Sequence, residues 1–176
     1  MDFVRVYALV AGFLESREAR VAVVGGLGLH AHGVTRATLD LDLVSEASSQ
    51  GPLVAFLESQ GYETLHRSAG YSNHLHADPD LGRLDLVYVD ADTARLLFAG
   101  CTARLELGSH RALVPRAEHL AAMKVQAMKN DPSRGLQDLA DVQALLRLPG
   151  VDAAEVRGYF ERAHLLDRYD AIRRSL

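Results

Sequence analysis

The pattern of hydrophobic and polar positions divides the chain into a first part that mixes helices with strands and a second part that is helical throughout. Helical spacing of apolar residues over residues 2–18 predicts an opening helix, and short apolar or alternating runs between turn residues predict strands. The predicted strands cover residues 20–24, 37–44, 62–66, 71–76, 83–89, 102–107 and 111–114. Further helices are predicted over residues 27–32, 52–60, 117–128, 135–146 and 153–163, with a short tail to Leu176. Asp92 or Thr93 is expected to cap one more short helix, which runs to Phe98.

These elements predict an α/β (α+β) fold in which helices flank a mixed sheet. Residues 1–114 carry the sheet, and residues 115–176 form a helical C-terminal part that we expect to pack on the same domain. At 176 residues the chain has about the length of one domain, and its apolar content suffices for a core. One compact unit and two lobes bounded near Pro115 both fit this pattern.

Composition narrows the classes of protein to consider. The net charge of −4 is not that of a typical nucleic-acid-binding domain, although a local basic patch is compatible with it. Cys101 is the only cysteine, so the chain can form neither an intramolecular disulfide nor a cysteine metal cluster, which fits a reducing compartment. The apolar run near the N-terminus is too short to span a membrane. We therefore expect a soluble, cytoplasmic protein without membrane partners.

Two carboxylates, Asp40 and Asp42, lie one residue apart in a predicted strand. Positions two apart on a strand share a face, so both carboxylates point the same way while Leu39, Leu41 and Leu43 point toward the core. Like charges held together cost free energy unless a cation lies between them. A divalent ion such as Mg²⁺, which prefers carboxylate oxygens, would remove that cost. The alternative is a solvated strand edge whose acids discourage aggregation.

A glycine pair, Gly25 and Gly26, lies between the first predicted strand and the helix that follows. Glycines at such a junction let a phosphate approach the backbone and the helix N-terminus closely. The pair alone is weak evidence, because a plain turn uses the same residues. No Walker loop follows, and Gly26, Gly28 and Ala31 match only a looser form of the dinucleotide fingerprint.

A third carboxylate, Asp85, lies among apolar neighbours in the strand predicted over residues 83–89. A buried charge without a partner is strongly unfavourable. A metal site shared with Asp40 and Asp42 would supply the partner, and so would an ion pair with Arg83 or another base.

Taken together, the residues before and within the acidic strand resemble a known signature. The residues that carry it are Gly25, Gly26, Gly33, Arg36, Thr38, Asp40 and Asp42. This pattern resembles that of the minimal nucleotidyltransferases of the polymerase-β superfamily, and it is most similar to the AbiEii-type nucleotidyltransferase toxins. Thr38 stands where that family usually has serine, which keeps the hydroxyl. The lincosamide and aminoglycoside nucleotidyltransferases carry a similar run.

The resemblance implies roles for residues beyond the acidic strand. It implies that Asp85 is the third metal ligand, and that Gly25, Gly26, Arg36, Thr38 and Lys124 contact the nucleotide or its phosphates. The alternative for Arg36 is that it only ties the loop before the acidic strand. Lys124 lies on the apolar side of its predicted helix, where its ammonium suits a phosphate or an ion pair with Asp138 or Asp141. Asp138 and Asp141 would support Lys124 from behind the site. Gln137 departs from the lysine that the toxin pattern has before the first of these acids.

The activity that the resemblance implies is transfer of a nucleoside monophosphate from a nucleoside triphosphate to an acceptor hydroxyl. Asp40, Asp42 and Asp85 would hold two Mg²⁺ ions about 4 Å apart, and Asp85 would also help to deprotonate the acceptor. A toxin would act on an RNA end or a protein hydroxyl and have an antitoxin protein as partner. An antibiotic-modifying enzyme would act on a small molecule instead. A catalytically silent fold that binds a partner is the third hypothesis.

Overall fold

The computed structural model describes residues 1–174, so the last two residues of the predicted helical part lie outside the described chain. Within that range, seven strands form one mixed sheet, and eight α-helices accompany it. The strands are β1 (Val21–Val23), β2 (Asp40–Glu46), β3 (Tyr62–Ser68), β4 (Tyr71–His76), β5 (Arg83–Val89), β6 (Ala103–Leu107) and β7 (His110–Val114). The helices are α1 (Phe3–Glu15), α2 (Gly25–Ala31), α3 (Gln50–Ser59), α4 (Ala91–Ala99), α5 (Ala117–Asn130), α6 (Gly135–Leu146), α7 (Ala153–Ala163) and α8 (Leu166–Arg173).

The sheet has the strand order β3-β4-β5-β2-β1-β7-β6. Strand β2 runs parallel to β5, and β1 runs parallel to β7, whereas the other neighbours are antiparallel. Parallel neighbours need crossover connections, and the segments that carry α3 and α4 provide room for them. The predicted mixed α/β architecture is confirmed.

The described chain divides into two compact units. The first comprises residues 1–31 and 35–115 and contains the whole sheet; the second comprises residues 32–34 and the chain from Arg116 onward. The second unit therefore contains α5 to α8. None of the helices within residues 1–174 is both long and apolar enough to cross a membrane.

One face of the central strands forms the core of the first unit. Leu41 and Leu43 of β2 and Leu84 and Leu86 of β5 are completely buried. Burying a leucine side chain contributes about 1.5–3 kcal/mol, so these four residues firmly fix which face of each strand turns inward. The residues that alternate with them, including Asp40, Asp42 and Asp85, belong to the other face.

The second unit has a helical core of its own. Helix α5 contacts both α6 and α7, and α7 contacts α8. Val142 and Leu145 of α6 and Val156 and Phe160 of α7 are completely buried. Asp152 caps α7 by accepting hydrogen bonds from the backbone N–H groups of the first turn.

Two sequence predictions about local structure are wrong. Leu39 does not point into the core but is 89% exposed, because the pairing of β2 with β5 begins only at Asp40. Helix α4 is capped by Asp90 rather than by Asp92 or Thr93. Strand β5 ends at Val89, and the extended backbone of Asp90 lets its carboxylate accept the N–H of Thr93.

Several predicted boundaries also move. Helix α2 begins at Gly25 rather than at residue 27, because the glycine pair forms its first turn. The expected tail after α7 contains a further helix, α8, whose Tyr169 and Ile172 are buried.

Candidate active site

The register of the sheet brings three carboxylates together on one face. Asp42 of β2 lies directly beside Asp85 of the parallel strand β5, and Asp40 lies two residues before Asp42 on the same face. One carboxylate oxygen from each of the three residues lies within 4.8 Å of the other two. Asp40 and Asp42 are partly exposed, whereas Asp85 is buried. The site is therefore a compact acidic cluster that is open on one side.

Gly25 makes room for the carboxylate of Asp42. Its φ of +57° lies in the left-handed region, and a Cβ at this position would lie 1.8 Å from Asp42 Oδ2. The neighbouring Val24 N–H donates to the backbone carbonyl of Asp42 at 3.0 Å, which ties the end of β1 to β2. No other residue type fits at position 25 without displacing Asp42. The predicted phosphate contact of Gly25 stays a prediction.

Thr38 orients Asp40. Its hydroxyl donates to Asp40 Oδ1 at 2.7 Å. A Cβ at Gly26 would lie 2.6 Å from Thr38 Cβ, so the second glycine of the pair lets Thr38 approach α2. The predicted contacts of Gly26 and Thr38 with phosphate stay predictions. Arg36 is half-buried in the segment between α2 and β2, and its predicted nucleotide contact stays a prediction as well.

Asp85 has three neighbours that hold its side chain. The Asn73 side-chain amide donates to Asp85 Oδ1, and Arg83 Nε lies 3.3 Å from the same oxygen. The Tyr71 hydroxyl is a third neighbour of Asp85. Burial, followed by the charge of Asp85, raises the pKa of Tyr71 to about 12, so its hydroxyl keeps its proton at neutral pH. Asp85 thus belongs to the acidic cluster and to an ion pair with Arg83, two readings that the sequence left as alternatives.

The sequence did not indicate Asn73 or Tyr71. Both belong to β4, which pairs antiparallel with β5 so that Asn73 lies directly opposite Asp85. Their alternation in the predicted strand over residues 71–76 placed them on a common face. Which strand lies beside β4 depends on strand order, and the hydrophobic pattern does not determine strand order.

On the opposite face of β4, a hydrogen-bonded chain leads from the exposed Glu58 to the buried residues His74, Ser72 and Tyr88. Thr64 Oγ1 donates its proton to Glu58 at 2.8 Å, so in the contact between Thr64 Oγ1 and His74 Nδ1 the imidazole is the donor. The other ring nitrogen of the neutral imidazole, Nε2, therefore accepts from Ser72 Oγ at 2.8 Å. The Tyr88 hydroxyl completes the chain at 2.8 Å from Ser72 Oγ. His74 is completely buried, and burial lowers its pKa from 6.5, so it stays neutral. This chain stabilises the strand that carries Asn73.

Lys124 lies in the second unit, where it joins α5 to α6. Its Nζ lies 3.0 Å from Asp138 Oδ1 and 2.8 Å from Asp141 Oδ2. All three side chains are buried. The pairing that the spacing of Asp138 and Asp141 allowed is therefore present. The predicted contact of Lys124 with a triphosphate stays a prediction.

The acidic cluster of the first unit fits a divalent cation. Three carboxylates provide the hard oxygen ligands that Mg²⁺ prefers, and the partial exposure of Asp40 and Asp42 leaves an approach for the ion. Thr38 and Asn73 fix the carboxylates with neutral donors, as is typical of the groups behind metal ligands.

Comparison with known proteins identifies the fold. No protein-family model matches the sequence, and no curated protein is detectably similar to it. Among solved structures, the antibiotic-resistance factor ANT(2'')-Ia is similar with a TM-score of 0.66 and 18% identity, over 99% of this chain and 98% of that one. The chain has the nucleotidyltransferase fold. The same factor in complex with adenylyl-2''-tobramycin has a TM-score of 0.64 and 16% identity, over 94% of this chain and 98% of that one.

A second nucleotidyltransferase-fold protein gives a similar result. The lincomycin-bound lincosamide antibiotic adenylyltransferase LnuA has a TM-score of 0.56 and 14% identity, over 82% of this chain and 96% of the other. The fold expected from the polymerase-β superfamily resemblance is thus confirmed. The closer relationship to AbiEii-type toxins stays a prediction.

Proposed function

We propose that the protein is a metal-dependent nucleotidyltransferase, which transfers a nucleoside monophosphate from a nucleoside triphosphate to a hydroxyl group of an acceptor. The observation that carries this proposal is the cluster of Asp40, Asp42 and Asp85, whose carboxylate oxygens approach within 4.8 Å on a nucleotidyltransferase fold. Such a cluster is costly for the fold unless a cation completes it. Asp40 and Asp42 are partly exposed, which lets a substrate reach the cluster.

Each carboxylate has a part in the proposed reaction. Asp40, Asp42 and Asp85 would hold Mg²⁺, as one ion or two. When bound, Mg²⁺ supplies positive charge that offsets the charge of the triphosphate and polarises its phosphoryl oxygens. Asp85 would also accept the proton of the acceptor hydroxyl. The acceptor oxygen then bonds to the α-phosphorus, the bond from that phosphorus to the bridging oxygen breaks, and pyrophosphate leaves.

The remaining predicted residues would bind the nucleotide. Gly25 and Gly26 begin α2, where backbone N–H groups can face a phosphate. Arg36 and Lys124 would offset phosphate charge, and Thr38, which orients Asp40, would also contact the phosphates. The resemblance to the superfamily, rather than a contact in the structure, supports the roles of Arg36 and Lys124.

Two acceptor classes follow from different observations. The AbiEii-like sequence pattern favours an RNA end or a protein hydroxyl, with an antitoxin protein as partner. The structural neighbours favour a small hydroxylated molecule, because ANT(2'')-Ia has been solved with adenylyl-2''-tobramycin and LnuA with lincomycin. The net charge of −4 suits a cationic acceptor better than a polyanion.

A labelling experiment tests the reaction and separates these acceptors. The protein is incubated with Mg²⁺ and each labelled nucleoside triphosphate, in separate arms with total RNA, with a mixed protein extract, and with aminoglycosides and lincosamides. We expect label to transfer in one arm, and Asp42→Asn to reduce that transfer at least about 100-fold because a metal ligand is lost. The arm that becomes labelled identifies the acceptor class.

Asp92→Asn is the matched control, because Asp92 is an exposed aspartate on α4 away from the cluster. It should label as the wild type does. Equal labelling by Asp42→Asn and the wild type would overturn the metal-carboxylate mechanism. Absence of any heat of binding for Mg²⁺ and every nucleoside triphosphate would indicate a catalytically silent fold instead.

A further inference from the structure

Asn73 is placed by the sheet itself against one of the three carboxylates. Asn73 and Asp85 are direct partners in the antiparallel pairing of β4 with β5, and Asp85 and Asp42 are direct partners in the parallel pairing of β5 with β2. The three side chains therefore form one row across three strands. Within this row the Asn73 amide donates to Asp85 Oδ1.

The contact between Asn73 and Asp85 is shielded from solvent. Asn73 is 5% exposed and Asp85 is 6% exposed. A short side chain with two torsions, buried between strands, keeps one orientation and so fixes the carboxylate that it contacts. Solvent does not compete for this hydrogen bond as it would at the surface.

The other neighbours of Asp85 are less suited to fixing its carboxylate beside a metal ion. Arg83 lies 3.3 Å from Asp85 Oδ1, but its side chain is half exposed. Its positive charge also opposes a second cation beside the same carboxylate. The Tyr71 hydroxyl neighbours Arg83 as well as Asp85, so it is not dedicated to the carboxylate. Asn73 is neutral, so it can hold Asp85 without repelling a metal ion.

We propose that Asn73 is a positioning residue of the metal site: its amide fixes the Asp85 carboxylate in the orientation that brings it close to the carboxylates of Asp40 and Asp42. This inference rests on the proposed function, because it assumes that the acidic cluster binds a divalent cation. In this role Asn73 acts through Asp85, the carboxylate to which its amide donates. Loss of such a supporting group typically lowers metal affinity about 10- to 100-fold.

Ser72 provides a matched control on the same strand. It is completely buried and hydrogen-bonded, as Asn73 is, but it lies on the opposite face of β4 with His74 and Tyr88. Ser72→Ala therefore removes a buried hydrogen bond of β4 without removing a contact of Asp85. A loss of metal affinity that arises from general loosening of the strand would occur in both variants.

The test measures Mn²⁺ binding to the full chain by isothermal titration calorimetry, without nucleotide, for the wild type, Asn73→Ala, Asn73→Ser and Ser72→Ala. Thermal unfolding of each variant verifies that it is folded. We expect both Asn73 variants to bind Mn²⁺ at least about tenfold more weakly, since neither alanine nor serine has the amide that donates to Asp85. Ser72→Ala should bind within about twofold of the wild type while it unfolds at a lower temperature.

A double-mutant cycle shows whether Asn73 acts through Asp85. In an Asp85→Ala background, Asn73→Ala should lower Mn²⁺ affinity no further. Wild-type affinity in both Asn73 variants, an equal loss in Ser72→Ala, or additive losses in the double variant would each overturn the positioning role while the metal site stands. If the wild type binds no Mn²⁺, the proposed function fails, and this inference fails with it.

Discussion

The acidic residues of the first unit and those of the second unit differ in how their charge is compensated. Asp138 and Asp141 are buried, and both lie within 3.0 Å of the Lys124 ammonium, a cation that the chain itself supplies. Asp40 and Asp42 are partly exposed, and the neutral side chains of Thr38 and Asn73 orient Asp40 and Asp85. Asp85 also pairs with Arg83, whose side chain is half exposed. In the second unit, a lysine of the chain itself compensates the buried acids. The cluster of the first unit is open to solvent and has the ligand composition of a site for an external cation.

The largest expected effect comes from removing the internal cation. Lys124→Met should lower the free energy of unfolding by about 3–5 kcal/mol, because it leaves two buried carboxylates without their ammonium. Lys129→Met is the control, since Lys129 is exposed on the same helix and should change stability by no more than about 0.5 kcal/mol. Denaturant unfolding followed by circular dichroism measures both. Equal stability of the two variants would show that Lys124 does not hold this cluster together.

A smaller loss of stability, with a specific loss of metal binding, is expected in the open cluster. Gly25→Ala forces a left-handed backbone onto alanine, which costs roughly 1–2 kcal/mol. Its Cβ would also lie 1.8 Å from Asp42 Oδ2 and must displace that carboxylate. We therefore expect Mn²⁺ affinity in calorimetry to fall at least about tenfold.

Gly150→Ala separates the two consequences of Gly25→Ala. Gly150 has a φ of +83°, and a Cβ there would meet no atom within 4 Å. It should lose comparable stability and retain Mn²⁺ affinity. An equal loss of Mn²⁺ affinity in both variants would mean that displacement of the Asp42 carboxylate is not the cause of the loss.

Local features of the sequence predicted much of the fold. Strands β4 and β5 and helices α6 and α7 have the predicted bounds, because turn residues or caps border each of them. The common face of Asp40 and Asp42 followed from the two-residue period of a strand alone. Each of these predictions depends on residues close together in the chain.

Features that depend on strand order could not be predicted in this way. Leu39 continues the alternating pattern of β2, yet it is exposed because β5 offers it no partner. Asp85 lies beside Asp42 only because β5 is the parallel neighbour of β2, and Asn73 meets Asp85 only because β4 pairs with β5 in this register. The charge of Asp85 among apolar neighbours, together with the resemblance to a known superfamily, suggested Asp85 as a ligand, whereas Asn73 required the structure.

Acid should lower the stability of the protein through one histidine of each unit, because burial lowers the pKa of both His74 and His119. His74 of the first unit is completely buried, and burial lowers its pKa below 6.5. The folded chain therefore stays neutral at His74 while the unfolded chain binds a proton below pH 6.5, so acid favours unfolding. This term removes up to about 1.4 kcal/mol of stability for each pH unit below 6.5 until the folded pKa is reached.

The free energy of unfolding at pH 7.5 and pH 5.5 measures this effect. His74→Asn should show a smaller loss between the two pH values than the wild type does. His119→Gln in the second unit should also reduce the loss, because burial and the nearby Arg116 lower the pKa of His119. An unchanged loss in His74→Asn would mean that His74 binds a proton in the folded chain as readily as in the unfolded one. In that case the hydrogen bonds of His74 with Thr64 and Ser72 would accommodate a charged imidazole. Acid would then not destabilise β4, the strand that carries Asn73.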